Sequence, residues 1–139
     1  MLKRIAPAAS LLAVLVLAGA AFAGNGGSTK SSSSISPPIV VPSSSLTALA
    51  TGGPHYGDAI TFDVSTTATD MPFVNLVCYQ GDALALNSWD AYFGPLSGQT
   101  FVLGSGMWAG GAADCRAYLG MDTSNKYKVL ASTSSHVHA

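Results

Sequence analysis

The sequence predicts an all-β domain, an antiparallel β-sandwich of about seven strands with one intradomain disulfide. Three observations support this prediction. Beyond residue 45, apolar and polar residues alternate in several segments with the two-residue period of a β-strand. Turn-forming residues interrupt these segments about every 8–12 residues, the spacing expected for a sandwich. No segment after residue 23 has a convincing helical period. A β-barrel is the alternative architecture.

The first 23 residues have the pattern of a cleavable signal peptide. Lys3 and Arg4 precede an apolar run over residues 8–17, and Ala21-Phe22-Ala23 is a small-x-small cleavage site. We therefore expect an exported protein whose mature chain begins at Gly24. The alternative is an uncleaved N-terminal anchor, but the apolar run is short for a membrane span.

Residues 24–44 are rich in glycine, serine and proline, and such a composition buries too little apolar surface to fold alone. We expect a disordered linker, which could also serve as a spacer or an O-glycosylated stalk. Its one apolar stretch, Ile39-Val40-Val41, could dock as an edge strand.

The folded domain is expected to span residues 45–139. Its strands are predicted from alternating apolar residues between turn signals. The predicted strands are 46–50, 60–65, 73–80, 83–86, a short edge strand at 89–93, then 99–103, 113–119 and 127–132, with a last segment at 136–139.

The only two cysteines lie in the segments 73–80 and 113–119. On strands, Cys78 shares a face with Val74 and Leu76, and Cys115 shares one with Ala113 and Ala117. If both faces point into one core, the sulfur atoms can meet there. Thiols oxidise outside the cytoplasm, so a Cys78–Cys115 disulfide is expected, with free thiols as the alternative.

Three stretches carry a resemblance to a known family. They are Tyr56-Gly57-Asp58 with Ile60-x-Phe62-x-Val64, Val77-Cys78-Tyr79-Gln80-Gly81, and Ala113-Asp114-Cys115-x-Ala117. They resemble bacterial secreted immunoglobulin-like domains, and the resemblance extends over about two-thirds of the chain. This resemblance implies an Ig-like sandwich that binds or adheres rather than catalyses. One difference from the antibody pattern is that the first cysteine falls on the third strand, opposite Cys115 on the sixth. The bridge should therefore join neighbouring strands of one sheet, and antibody-type recognition loops are not expected.

Charge and motifs exclude several function classes. After removal of residues 1–23, the chain has four basic residues and seven aspartates, so it is acidic overall. This charge argues against nucleic acid and anionic membranes as partners. Catalytic motifs are also missing from the sequence. It has no Gly-x-Ser-x-Gly motif, and it has no set of base, acid and nucleophile at a recognisable spacing. The run 104–109 formally matches a dinucleotide-binding pattern, but the glycines after it would not start the required helix. We expect no catalytic residues and no enzyme activity.

A metal site is not expected either. His136 and His138, spaced by two on a strand, would face the same side and could bind Zn²⁺ or Cu²⁺. Two ligands do not complete a structural site, which usually takes four, and His55 is the only other histidine. The sequence therefore predicts no metal and no cofactor.

Aromatic residues give the best indication of a binding site. Tyr79 and Tyr118 lie on the outward faces of the two cysteine strands, beside Arg116. Trp89 and Trp108 lie in edge or loop segments. These five residues are the predicted binding residues, although some aromatics could instead close the ends of the sandwich.

We therefore expect a secreted, non-catalytic module that binds protein or carbohydrate at the cell surface or within an extracellular assembly. The alternatives are an enzyme accessory or inhibitor domain, and a structural envelope component without a specific ligand.

Overall fold

The computed structural model describes residues 30–42 and 52–139, which are all-β with antiparallel sheets. The only helical element of these residues is a single 3-10 turn, Gly94–Leu96. No helix among them is long and apolar enough to cross a membrane. The strands are β1 (Ser33–Ile35), β2 (Ile39–Val40), β3 (Ala59–Thr61), β4 (Val64–Thr66), β5 (Phe73–Gln80), β6 (Ala83–Ala91), β7 (Phe101–Val102), β8 (Ala113–Thr123) and β9 (Lys126–Val137).

The largest sheet has the order β6-β5-β8-β9, with β5 and β8 at its centre. Two hairpins, β5–β6 and β8–β9, build it, and their turns need only two residues each. Gly81 opens the first turn with a positive φ of 60°, a conformation that glycine adopts without steric cost. The two smaller sheets are β2-β3-β7 and the pair β1-β4.

The core lies against one face of the four-stranded sheet. On this inner face, Val74, Leu76 and Cys78 of β5 are fully buried, as the alternation predicts. They share one apolar cluster with residues from the three-stranded sheet and the loops after it. The other members include Ile60, Phe62, Phe101, Leu103, Trp108, Ala117, Leu119 and Val137.

The predicted disulfide between Cys78 and Cys115 is confirmed. The two residues are direct partners across β5 and β8, with their Cα atoms 4.0 Å apart. The bridge therefore joins adjacent strands of one sheet, as the sequence indicates.

Several strand boundaries differ from the prediction. The segment 60–65 is divided, because β3 pairs with β2 and β7 whereas β4 pairs with β1. In contrast, 83–86 and 89–93 belong largely to one strand, β6, and the last two predicted strands merge into β9. In both cases the polar residues between the two predicted strands are paired with the neighbouring strand of the hairpin. The β-ladder therefore continues through them as one strand.

Part of the predicted linker is also in strands. Ser33–Ile35 pairs with β4, and the Ser33 and Thr66 hydroxyls are hydrogen-bonded at 2.7 Å. Ile39–Val40 docks on β3, in agreement with the expected edge strand. The prediction of disorder fails for these residues because their apolar side chains, Ile35 and Val40, pack against the core. The predicted signal peptide and the strand 46–50 lie outside the described residues.

Candidate functional site

The outer face of the four-stranded sheet carries the side chains that alternation assigns to it. Those of β5 and β8 stand in three rows across the sheet, opposite the face that contacts the core. The cross-strand partners are Asn75 with Tyr118, Val77 with Arg116, and Tyr79 with Asp114.

Part of this face, on β5, β8 and β9, forms an open groove of about 770 Å³. Val77 and Tyr79 of β5 line this groove together with residues of β8. The strand β9 contributes Ser134, the partner of Arg116, and His136, the partner of Asp114. Tyr79 is 45% exposed, and Tyr118 is partly buried. The groove thus presents two tyrosine side chains beside charged and polar groups.

Arg116 has spare hydrogen-bonding capacity in this groove. Its Nε donates to the Ser134 hydroxyl at 3.2 Å. Within residues 30–42 and 52–139, it has no carboxylate partner in ion-pair range. The nearby Asp114 instead accepts from His136, with Oδ1 2.8 Å from Nδ1. Because a guanidinium has five N–H donors, four remain available to a ligand.

Trp89 lies beside the groove rather than in it. It is 52% exposed on β6, and Asn75 of β5 separates it from Tyr118. Asn75 is buried, and its amide donates to Asn87 Oδ1 at 2.8 Å and to the Ser88 carbonyl at 3.1 Å. Asn75 therefore supports the sheet and does not contact the groove.

Tyr127, which was not among the predicted residues, holds Trp89 in place. The two rings meet edge to face, with centroids 4.8 Å apart and an interplanar angle of 83°. The Tyr127 hydroxyl donates to the Tyr118 carbonyl at 3.0 Å. Burial raises the pKa of Tyr127 to about 12, and the charge of Asp122 contributes to the rise. The one sequence signal for this arrangement is Gly120, because a glycine inside a strand often marks a close approach.

Trp108 does not form part of the surface, so the prediction that places it among the binding residues is wrong. The residue is only 2% exposed, and its ring centroid lies 5.4 Å from that of Tyr56. Its indole Nε1 donates to the Gly111 carbonyl at 3.1 Å. The Ser105 hydroxyl donates to the Ala85 carbonyl and accepts the amide of Trp108, which turns the indole inward. Trp108 closes an end of the core, the alternative considered for the aromatic residues.

The histidines form a second cluster of polar side chains. His55 makes an isolated parallel bridge with His138, and their ring centroids are 5.3 Å apart. The His136 and His138 rings are 5.1 Å apart. Sequence reasoning pairs the last two but gives no signal for the approach of His55.

Comparison of the chain with protein-family models, curated proteins and solved structures finds no match. The groove and the fold are therefore the features that bear on function.

Proposed function

We propose that this chain is a secreted, non-catalytic binding module with an Ig-like β-sandwich fold, and that its ligand binds in the groove of the four-stranded sheet. The observation that carries the proposal is the Arg116 guanidinium without a carboxylate partner among the described residues, lying between Tyr79 and Tyr118. Tyrosine and arginine are the residue types in which binding energy is concentrated.

A cell-surface carbohydrate is the ligand class that this chemistry favours. A shallow, open groove suits a saccharide chain, whose apolar C–H faces pack on aromatic rings and whose hydroxyls need several polar partners. Arg116, Asp114, Ser134 and His136 supply donors and acceptors within one groove.

A protein partner is the second candidate, favoured by Trp89. This exposed indole lies in line with Tyr118 across the sheet and would extend the contact beyond the groove. A protein large enough to cover both would bury Trp89, whereas a saccharide confined to the groove would leave it exposed.

Export is proposed from the N-terminal pattern, and the disulfide is compatible with it. The exposed residues of the groove lie on paired strands of a scaffold, which suits recognition more than chemistry. An enzyme accessory role would use the same groove to hold a substrate for another domain.

The test is binding of the mature protein to a glycan array and to surface extract from the producing cell. The double variant Tyr79→Ser/Tyr118→Ser and the single variant Arg116→Gln should each lose binding while keeping their melting temperature within a few degrees. The matched control is Met71→Ala, which removes an exposed apolar side chain from a loop outside the groove.

Trp89→Ser separates the two ligand classes, because it should weaken protein binding and leave saccharide binding unchanged. Undiminished binding by the double tyrosine variant would show that the ligand binds elsewhere.

A further inference from the structure

All three histidines of the chain meet at one end of the four-stranded sheet, where β9 ends. The segment 54–56, which precedes β3, is held at this end by backbone hydrogen bonds. The amide of His138 donates to the Pro54 carbonyl at 2.8 Å, and the amide of Tyr56 donates to the His138 carbonyl at 2.9 Å. His55 is thereby brought beside two histidines that are distant from it in the sequence.

The ring separations of two of the three histidine pairs match those of imidazoles bound to one ion. With a metal–nitrogen distance of about 2.1 Å, two imidazoles on a tetrahedral ion have ring centres roughly 5 Å apart. The observed separations are 5.3 Å for His55 and His138, and 5.1 Å for His136 and His138. His138 is the common member of both pairs.

A carboxylate already holds one of the rings, because Asp114 Oδ1 is 2.8 Å from His136 Nδ1. Asp58 Oδ2 accepts the backbone amide of His55 at 2.8 Å and lies 4.0 Å from the His55 Nδ1 atom, beyond hydrogen-bond range. A carboxylate accepts the Nδ1 proton and leaves Nε2 as the free lone pair. This is the arrangement that supports metal-binding histidines, where an outer carboxylate fixes the tautomer and raises the basicity of the ligand nitrogen.

From this geometry we propose that His55, His136 and His138 bind one divalent transition-metal ion of the Zn²⁺ or Cu²⁺ class. Imidazole nitrogen suits these ions, and Cu²⁺ should bind more tightly than Zn²⁺. Three histidine ligands with one open position form a tetrahedral site, whereas the two histidines near the end of β9 alone would not.

Ring rotation is needed for this coordination. In residues 30–42 and 52–139, no three histidine, cysteine or acidic side chains already surround one point as ligands. The side chains of His55 and His136 are 46% and 53% exposed, so both rings can turn toward His138 without displacing core residues.

The experiment uses the tag-free mature protein titrated with ZnCl₂ by calorimetry and with CuCl₂ by paramagnetic resonance. We expect one ion per chain, nitrogen hyperfine structure from histidine, and a higher melting temperature, because the ion ties residue 55 to the end of β9. Each variant, His55→Gln, His136→Gln or His138→Gln, should weaken binding at least tenfold. Asp114→Asn should weaken it about tenfold through its effect on His136, whereas Asp70→Asn at the other end of the sheet should have no effect.

A measurement on the unaltered chain complements the variants. Cu²⁺ should broaden the ring proton resonances of all three histidines together, because the bound ion is paramagnetic. Broadening of His136 and His138 alone, unchanged affinity in His55→Gln, or no binding by the wild-type protein would each overturn the proposal.

Discussion

The phenol ring of Tyr127 occupies the space that a side chain at Gly120 would need. A Cβ built on Gly120 would overlap this ring and would lie 2.7 Å from the Lys128 carbonyl oxygen. The two residues come together at the β-bulge between Leu119 and Gly120, where the pairing of β8 with β9 shifts. Tyr127 in turn contacts Trp89 on β6, so this glycine allows an aromatic contact across the outer face.

Gly120→Ala should destabilise the protein by about 1–3 kcal/mol, because the added methyl displaces the Tyr127 ring and strains the bulge. Denaturant unfolding measures the change. Gly106→Ala is the control, because a Cβ there meets no atom within 4 Å. Tyr127→Ala in the Gly120→Ala background should relieve part of the cost, and fully additive effects would contradict the proposed clash.

Loss of the disulfide should lower stability by roughly 3–4 kcal/mol in the chain-entropy model. The bridge closes a loop with a sequence separation of 37 residues. The variant Cys78→Ala/Cys115→Ala should melt at a clearly lower temperature than wild type. Reductant should produce the same drop in wild type and none in the variant. A reductant-insensitive wild type would show that the bridge contributes nothing to stability.

The two tryptophans should respond unequally to truncation. Trp108→Ala removes a buried indole and should cost about 3–5 kcal/mol. Trp89→Ala removes a half-exposed ring and should cost about 1 kcal/mol, mainly its contact with Tyr127. Thermal unfolding of both variants, with fluorescence to report the remaining indole, makes the comparison. Equal costs would mean that Trp89 is part of the core.

Tyr127 should make the protein less stable at high pH. Its pKa of about 12 in the folded protein is above the ordinary value of 10.0. Between these two values the unfolded chain loses the phenolic proton first, so the free energy of unfolding falls as the pH rises through this window. Burial also raises the pKa of Tyr92, which acts in the same direction.

Ultraviolet titration should show two tyrosines, Tyr92 and Tyr127, ionising above the ordinary value of 10.0. Tyr127→Phe should remove one late step and reduce the alkaline decline, although it also loses the hydrogen bond to the Tyr118 carbonyl. An unchanged titration would assign the late step to another residue.

Export should remove the first 23 residues. The intact mass of the secreted protein should correspond to a chain that starts at Gly24. Ala23→Pro should block cleavage and leave the longer chain with the cells, whereas Lys30→Ala should be processed normally. A wild-type chain of full mass in the membrane fraction would refute cleavage.

Local alternation was enough to predict the centre of the four-stranded sheet. Val74, Leu76 and Cys78 share a buried face because backbone pairing keeps strict two-residue alternation there. The same rule assigned Tyr79 and Arg116 to the outer face and so located the groove.

Features that depend on contacts between residues distant in the sequence could not be predicted from local alternation. Ile60 and Val64 continue one alternating pattern, yet they belong to different sheets because their pairing partners differ. The loop of Trp108 is fixed by the hydrogen bond from Ser105 to the Ala85 carbonyl of a distant strand, and His55 reaches His138 through backbone contacts that no spacing encodes. Both outcomes depend on tertiary neighbours rather than on local sequence.

The disulfide also fixes which side chains line the groove. A slip of β5 against β8 by one residue would turn Tyr79 and Val77 toward the core and expose apolar partners. Cys78 and Cys115 are direct partners between these very strands, so their covalent bond excludes every other register. We therefore expect the reduced chain to sample misaligned strands, and the groove to keep one set of lining side chains only after oxidation has formed the bridge in the correct register.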